Sequence, residues 1–299
     1  MTVSLQTCTR GAAAAWSLGA WLLAACLLGS AADAARVARW STLGDGGRRR
    51  TLAELHREHP TFEARVRAIS HRFLGTRYQL DPLGEGAQAR IDRDPIVRFD
   101  RVDCLTFVEQ VLALAQRAGL DAAITLLQRY RYTDGEIRWR KRRHLMELQW
   151  LPQLTRAGAL VDVTAAVGGE ATRIARRTVT RRHYPGGYAR FKRRMGAAVP
   201  TGDIALAYVP PTALRTRLSA LPAVTLLALV RKTGRLAPLF IKHVGLVLKD
   251  GPGGALVFRH AIHIQGRVVD EPMEKYLARH AKDPKTLGFH IVELRPLAE

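Results

Sequence analysis

Cysteine is scarce in this chain, with three in 299 residues, too few for a disulfide scaffold. Carboxylates are short too: 26 Asp and Glu against 47 Lys and Arg leave a formal charge of +21. That balance excludes an acidic surface and implies attraction to polyanions, whether nucleic acid, anionic lipid or an anionic cell-wall polymer. The bland alternative is a solvated Arg-rich surface. No internal repeat is visible, and no His-Glu-x-x-His helix or paired cysteines supply the usual zinc spacing. Beyond the N-terminal stretch, no segment approaches the length of a membrane span. What remains is ordinary globular composition, 47% hydrophobic and 24% charged, enough for one large domain or two small ones.

Arg10, the apolar run from Ala12 to Leu28 and the small residues Ala32-Asp33-Ala34 follow the order of a secretory signal cleaved near Ala34. Two other readings stay open. Leu23-Ala24-Ala25-Cys26 resembles a lipobox that would leave Cys26 lipid-modified, and the run is long enough for an uncleaved anchor. Each expects export to the periplasm or cell envelope, which argues against nucleic acid as partner. Cys8 and Cys26 are then removed or modified, leaving Cys104 as the free thiol. A leftover cysteine with histidines elsewhere is either a nucleophile or a small apolar filler.

Residues 1–35 therefore read as a signal and 36–50, rich in Arg and Gly, as a basic linker. From 51 to 198 the pattern is helical. Phe62, Val66, Ile69 and Phe73 recur at helical spacing, with Gly75 as the stop. Asp103 to Ala118 is the clearest helix, with Asp103 as N-cap and Phe107, Val111 and Leu114 on its apolar face. From 199 to 299 the pattern is strand-rich: Ile204–Tyr208, Val244–Leu248, Leu256–Ala261, Arg267–Val269 and His290–Leu294, with a short helix at Met273–His280. Helices first and strands later indicate an α+β fold.

Cys104 falls in the first turn of its predicted helix, where unpaired backbone N–H groups favour a thiolate. Asp103 opposes this, since a like charge raises the thiol pKa, so a nearby base is required. His243 opens the strand His243-Val244-Gly245-Leu246-Val247-Leu248, and Gly245 leaves room for a close approach. His260 lies on the next strand, where it can orient His243 as the third member of a triad. Either histidine alone also fits a structural role. A metal site would have to add His263, which alternation puts on the opposite face from His260.

These residues carry a family resemblance. Leu74-Gly75-Thr76-Arg77-Tyr78, Asp81 to Glu85, Val102-Asp103-Cys104-Leu105-Thr106-Phe107-Val108-Glu109, Arg143-His144, Trp150, Gly202-Asp203-Ile204, His243-Val244-Gly245, His260-Ala261 and Tyr276-Leu277 occur in order. The chain from Phe62 to Leu294 resembles the N-acetylmuramoyl-L-alanine amidase-like family (domain of unknown function 1460), a branch of the NlpC/p60 papain-like cysteine hydrolases. It departs at Ile262, where the family has a small polar residue, and in a longer segment 205–242, whose apolar Leu218 to Val230 is either a helical flap or a packing element. The resemblance implies a papain-like fold with a nucleophile helix on a small antiparallel β-sheet or barrel. It implies Cys104 as nucleophile, His243 as base and His260 as third member, with Tyr78, Arg143, His144 and Asp103 at the substrate. The implied activity is hydrolysis of a peptidoglycan amide without cofactor or metal, at the N-acetylmuramoyl-L-alanine bond or between D-glutamate and the diamino acid of the stem peptide. A basic wall- or lipid-binding module without activity is the non-enzymatic alternative.

Overall fold

Apolar side chains at helical spacing fold the first part of the chain into four helices. The computed structural model describes residues 37–184, 189–234 and 237–298, so the expected signal, with Cys8 and Cys26, lies outside the described residues. The helices are α1 (Asp45–Glu58), α2 (Phe62–His71), α3 (Cys104–Gln116) and α4 (Leu120–Arg131). Phe62, Val66 and Ile69 form the buried stripe of α2, and the Thr61 hydroxyl caps it by accepting from the Ala64 amide at 3.2 Å. Helix α3 is buried continuously from Thr106 to Ala115. A helix apolar on all sides belongs in a core, and α3 packs between α2, α4 and the sheet.

Ten strands follow among the described residues: β1 (Arg77–Tyr78), β2 (Arg101–Val102), β3 (Leu160–Asp162), β4 (Arg173–Val179), β5 (Gly202–Tyr208), β6 (Val224–Arg231), β7 (Ile241–Lys249), β8 (Leu256–Ile262), β9 (Arg267–Pro272) and β10 (Thr286–Leu294). Eight form one sheet in the order β2-β1-β9-β8-β7-β6-β10-β3, while β4 and β5 pair separately. Apart from the parallel β1–β2 contact, the pairings are antiparallel. Leu226, Val244, Leu246 and Ala261 enter the core with α3. Leu227, Val247 and Phe258 enter a second core with α5 (Met273–Ala281). The central strands are thus covered on both faces, and the architecture is a mixed α+β fold with a curled half-barrel sheet.

Several expectations change. Residues 45–50, assigned to a linker, form the first turns of α1, and Trp40 just before them is fully buried, its indole Nε1 donating to the Ile69 carbonyl at 3.0 Å. Arg spacing on a solvated helix face hid that helix from a hydrophobic pattern. A division at 198/199 also does not hold: β4 pairs with β5 across it, and β1 and β3 extend the sheet that carries β6 to β10. Arg39–Glu299 form one compact unit. The apolar run Leu218–Val230 ends in β6, a central packing strand whose burial on both faces erased its alternation. The other expected strands and the Met273 helix are present with slightly longer bounds. Among the described residues, no helix is long and apolar enough to cross a membrane.

Phe107 anchors α3, fully buried with its ring edge-on to Phe73 at 5.7 Å. Phe107→Ala should destabilise the fold by about 3–5 kcal/mol, read as a lowered urea midpoint with an unchanged denaturant slope.

Candidate active site

The site begins at the N-terminus of α3. Asp103 caps it: Oδ1 accepts from the Thr106 amide at 2.8 Å, and the Thr106 hydroxyl accepts from the Asp103 amide at 2.9 Å. Oδ2 accepts from the Asp81 amide at 3.0 Å. Asp81 sits at φ 48°, a left-handed conformation that a non-glycine residue adopts at a cost. Both oxygens of Asp103 are therefore engaged in fixing the loop and helix that hold the next residue.

That residue is Cys104, half-buried at the first position of α3. The backbone amides of Cys104 and Leu105 at the helix start and of Val244 on β7 act on its thiol, so the thiol lies near the strand one residue from His243. These amides favour the thiolate, but burial, reinforced by Asp103, outweighs them and pushes the thiol up to about 12. The helix start alone led to the opposite expectation of a lowered pKa.

His243 and His260 meet across β7 and β8. Alternation from the Val247↔Phe258 pair puts residues 243, 245, 258 and 260 on one face. His243 Nε2 lies 2.7 Å from His260 Nδ1, with the rings at 74°. A Cβ on Gly245 would lie 2.7 Å from His260 Cβ and 2.6 Å from Phe258 Cζ, so only glycine lets the second imidazole lie over β7. Desolvation lowers both rings, His243 to about 4 and His260 to about 3. The thiol and both imidazoles are therefore neutral at neutral pH, and Nδ1 is the His243 nitrogen that the His260 contact does not use.

Behind His260 stands a group without a motif signal in the sequence. Glu271 Oε2 lies 3.7 Å from His260 Nε2, and Arg279 donates to both Glu271 oxygens at 2.6 and 2.9 Å. Only the β8–β9 register, Phe258↔Glu271 and His260↔Val269, brings Glu271 diagonally beside His260.

The remaining expected residues spread around the thiol. Tyr78 is pushed up to about 12 by burial and by Cys104 and Asp103, and its ring stands edge-on to His263 at 5.5 Å. Asp81, Asp103, Thr106, Arg131, Arg143 and His144 line a cavity of about 190 Å³. Arg143 donates to the carbonyls of Arg129, Tyr130 and Tyr132 at 2.6–3.1 Å, so much of its guanidinium is committed to the fold. His144 is lowered to about 4 by burial, lies 2.8 Å through Nε2 from the Trp139 carbonyl, and packs between Trp139 and Phe191. A second cavity, of about 280 Å³, is lined by His243, His260, Ile262, Ile264, Tyr276 and Arg279. Among the described residues, no group of three His, Cys, Asp or Glu side chains is arranged to hold a metal ion.

The family model for N-acetylmuramoyl-L-alanine amidase-like proteins matches residues 68–284, a span that takes in Cys104, both histidines and Glu271. The chain belongs to this amidase-like family. It is similar to a crystal structure from Legionella pneumophila assigned to the DUF1460 family, at 26% identity and a TM-score of 0.72, over 83% of this chain and 95% of that one. It also shares its fold with an N-acetylmuramoyl-L-alanine amidase from Bacteroides uniformis, at 21% identity and a TM-score of 0.55, over 78% and 99% of the two chains. No curated protein matches the sequence. Within the amidase-like family the general activity is that of a hydrolase acting on peptidoglycan.

Two measurements test this geometry. Because the thiol is raised, iodoacetamide labelling of Cys104 should still climb with pH beyond about pH 10, and a plateau below neutral pH contradicts the neutral pair. Gly245→Ala should drive the His260 and Phe258 side chains from their places and cost about 1–3 kcal/mol, visible as a lower melting temperature.

Proposed function

We propose that this amidase-like protein is an exported, cysteine-dependent enzyme that cleaves the amide between N-acetylmuramic acid and L-alanine in peptidoglycan. One observation carries the cysteine reading: a lone thiol at a helix start lies beside the strand of a hydrogen-bonded imidazole pair. The papain-like assignment rests on the same arrangement, a nucleophile helix docked on a sheet that supplies the base. The N-terminal signal pattern supports export, and a lipid link through Cys26 is one route to the envelope.

In this mechanism the Cys104 thiol passes its proton to His243 Nδ1 as sulfur bonds to the carbonyl carbon. The oxyanion forms near the backbone amides at the start of α3. His243 then gives the proton to the departing amine, the C–N bond breaks, and a water activated by the same ring releases the acyl group from sulfur. The water supplies the hydroxyl of the new carboxylate, and its proton returns through His243 to the sulfur, which balances these steps. Arg143 and His144 border the first cavity and Tyr78 packs on His263 beside the second, positions suited to the stem peptide. Between Glu170 and Asp203 every charged side chain is Arg or Lys, and most of those described are exposed, on β4, the turn Arg181–His183 and the helix Ala189–Met195. This stretch supports an affinity for an anionic envelope polymer.

Cys104→Ala should lower hydrolysis of purified cell wall by about 10³–10⁴-fold or more while leaving the fold intact. Mass spectrometry of the wild-type digest should show intact free stem peptides. L-Ala-D-Glu fragments would instead mark an endopeptidase, and undiminished hydrolysis by the variant would remove the cysteine mechanism. Wall binding without hydrolysis by either form would leave a binding module.

A further inference from the structure

The imidazole pair has two internal arrangements, and only one leaves a usable base. If His243 Nε2–H donates to His260 Nδ1, the lone pair of His243 Nδ1 is free to take the thiol proton. If His260 Nδ1–H donates instead, His243 carries its proton on Nδ1 and cannot act as the base. The 2.7 Å contact fits both. The choice is made at the far nitrogen of His260, which carries a proton in the first arrangement and a lone pair in the second.

That nitrogen is buried and has no hydrogen-bond partner within normal reach. The group it faces is the Glu271 carboxylate at 3.7 Å, itself 7% exposed. A lone pair there would oppose a carboxylate oxygen in a dry setting, whereas an N–H is drawn to it, and a shift of a few tenths of an ångström makes a full bond. Arg279 donates to both Glu271 oxygens, so the carboxylate meets its neighbours as an acceptor. Arg279 is in turn held over the Tyr276 ring at 5.2 Å, and Tyr276 stacks on Phe258 at 4.2 Å. The line from Arg279 through Glu271 and His260 to His243 is therefore braced by α5 and β9, two elements outside the thiol–imidazole pair.

We propose that Glu271 is a positioning residue, a carboxylate that fixes His260 as its Nε2–H tautomer and so leaves His243 Nδ1 unprotonated and able to act as a base. This rests on the reading of Cys104 as nucleophile and His243 as base. The same Glu271–Arg279 pair also ties α5 to β9, so loss of stability alone does not test the role.

The test uses the full chain labelled with ¹⁵N-histidine, the His260 signals assigned by their absence from His260→Gln. Wild type should show His260 as the Nε2–H tautomer. In Glu271→Gln the amide oxygen is drawn to Arg279 and its NH₂ is turned on His260, so the Nδ1–H tautomer should grow. On muropeptide substrate, kcat should fall about 10- to 100-fold with KM changed far less, and Glu271→Asp should recover part of the loss. An Nδ1–H tautomer in wild type overturns the proposal, as does a Glu271→Gln protein with unchanged tautomer and kcat. Should Glu271→Gln fail to fold, the wild-type tautomer decides alone. Should Cys104→Ala prove active, the hydrolysis reading falls while the tautomer result still judges Glu271.

Discussion

The contact on which the site depends is the one between two imidazoles across adjacent antiparallel strands. Its geometry is a property of the sheet: the β7–β8 ladder fixes the rings' separation, and a missing side chain at Gly245 fixes their overlap. Around that contact the rest of the molecule reads as support. Helix α3 is buried along most of its length and cannot slide, so its first residue stays at the edge of β7. The Asp103 cap and the left-handed turn at Asp81 hold that helix end from the opposite side.

Electrostatics makes the resting site neutral. Cys104 is raised and both histidines are lowered by the same cause, removal of water from charged forms. The protein invests its charge one layer out, in Glu271 with Arg279 and in the buried Glu109–Arg131 pair at 2.9 Å beneath the cavity. Such a layout places the Glu109–Arg131 pair where bulk solvent screens it little and keeps ions out of the imidazole contact itself.

How much of this was legible in the sequence varied with the physics of each part. The Asp103 cap and the α3 stripe are local, and local patterns announced them. The two histidines were legible because each lies in a short apolar run that reads as a strand, His243 to Leu248 and Leu256 to Ala261. Strand β6 was ambiguous because burial on both faces removes alternation altogether. The helix over residues 45–50 was hidden by arginines on a solvated face. Glu271 could not be found from spacing, since its relation to His260 exists only in the cross-strand register. The main cause of the thiol's upward shift was hidden for a similar reason: the helix start and Asp103 are visible in the chain, while the depth of burial is not.

The strand order carries one more implication. The central strands are assembled from parts far apart in the chain: β10 lies between β6 and β3, and β9 carries β1. A ribosome delivers the cysteine early and the last strand at the very end. Until β10 arrives, β6 has a bare edge and β7 lacks a settled neighbour on that side, so the imidazole has no fixed seat. Non-local pairing of this kind is slow to form. A chain lacking β10 thus lacks the sheet that seats the imidazole pair.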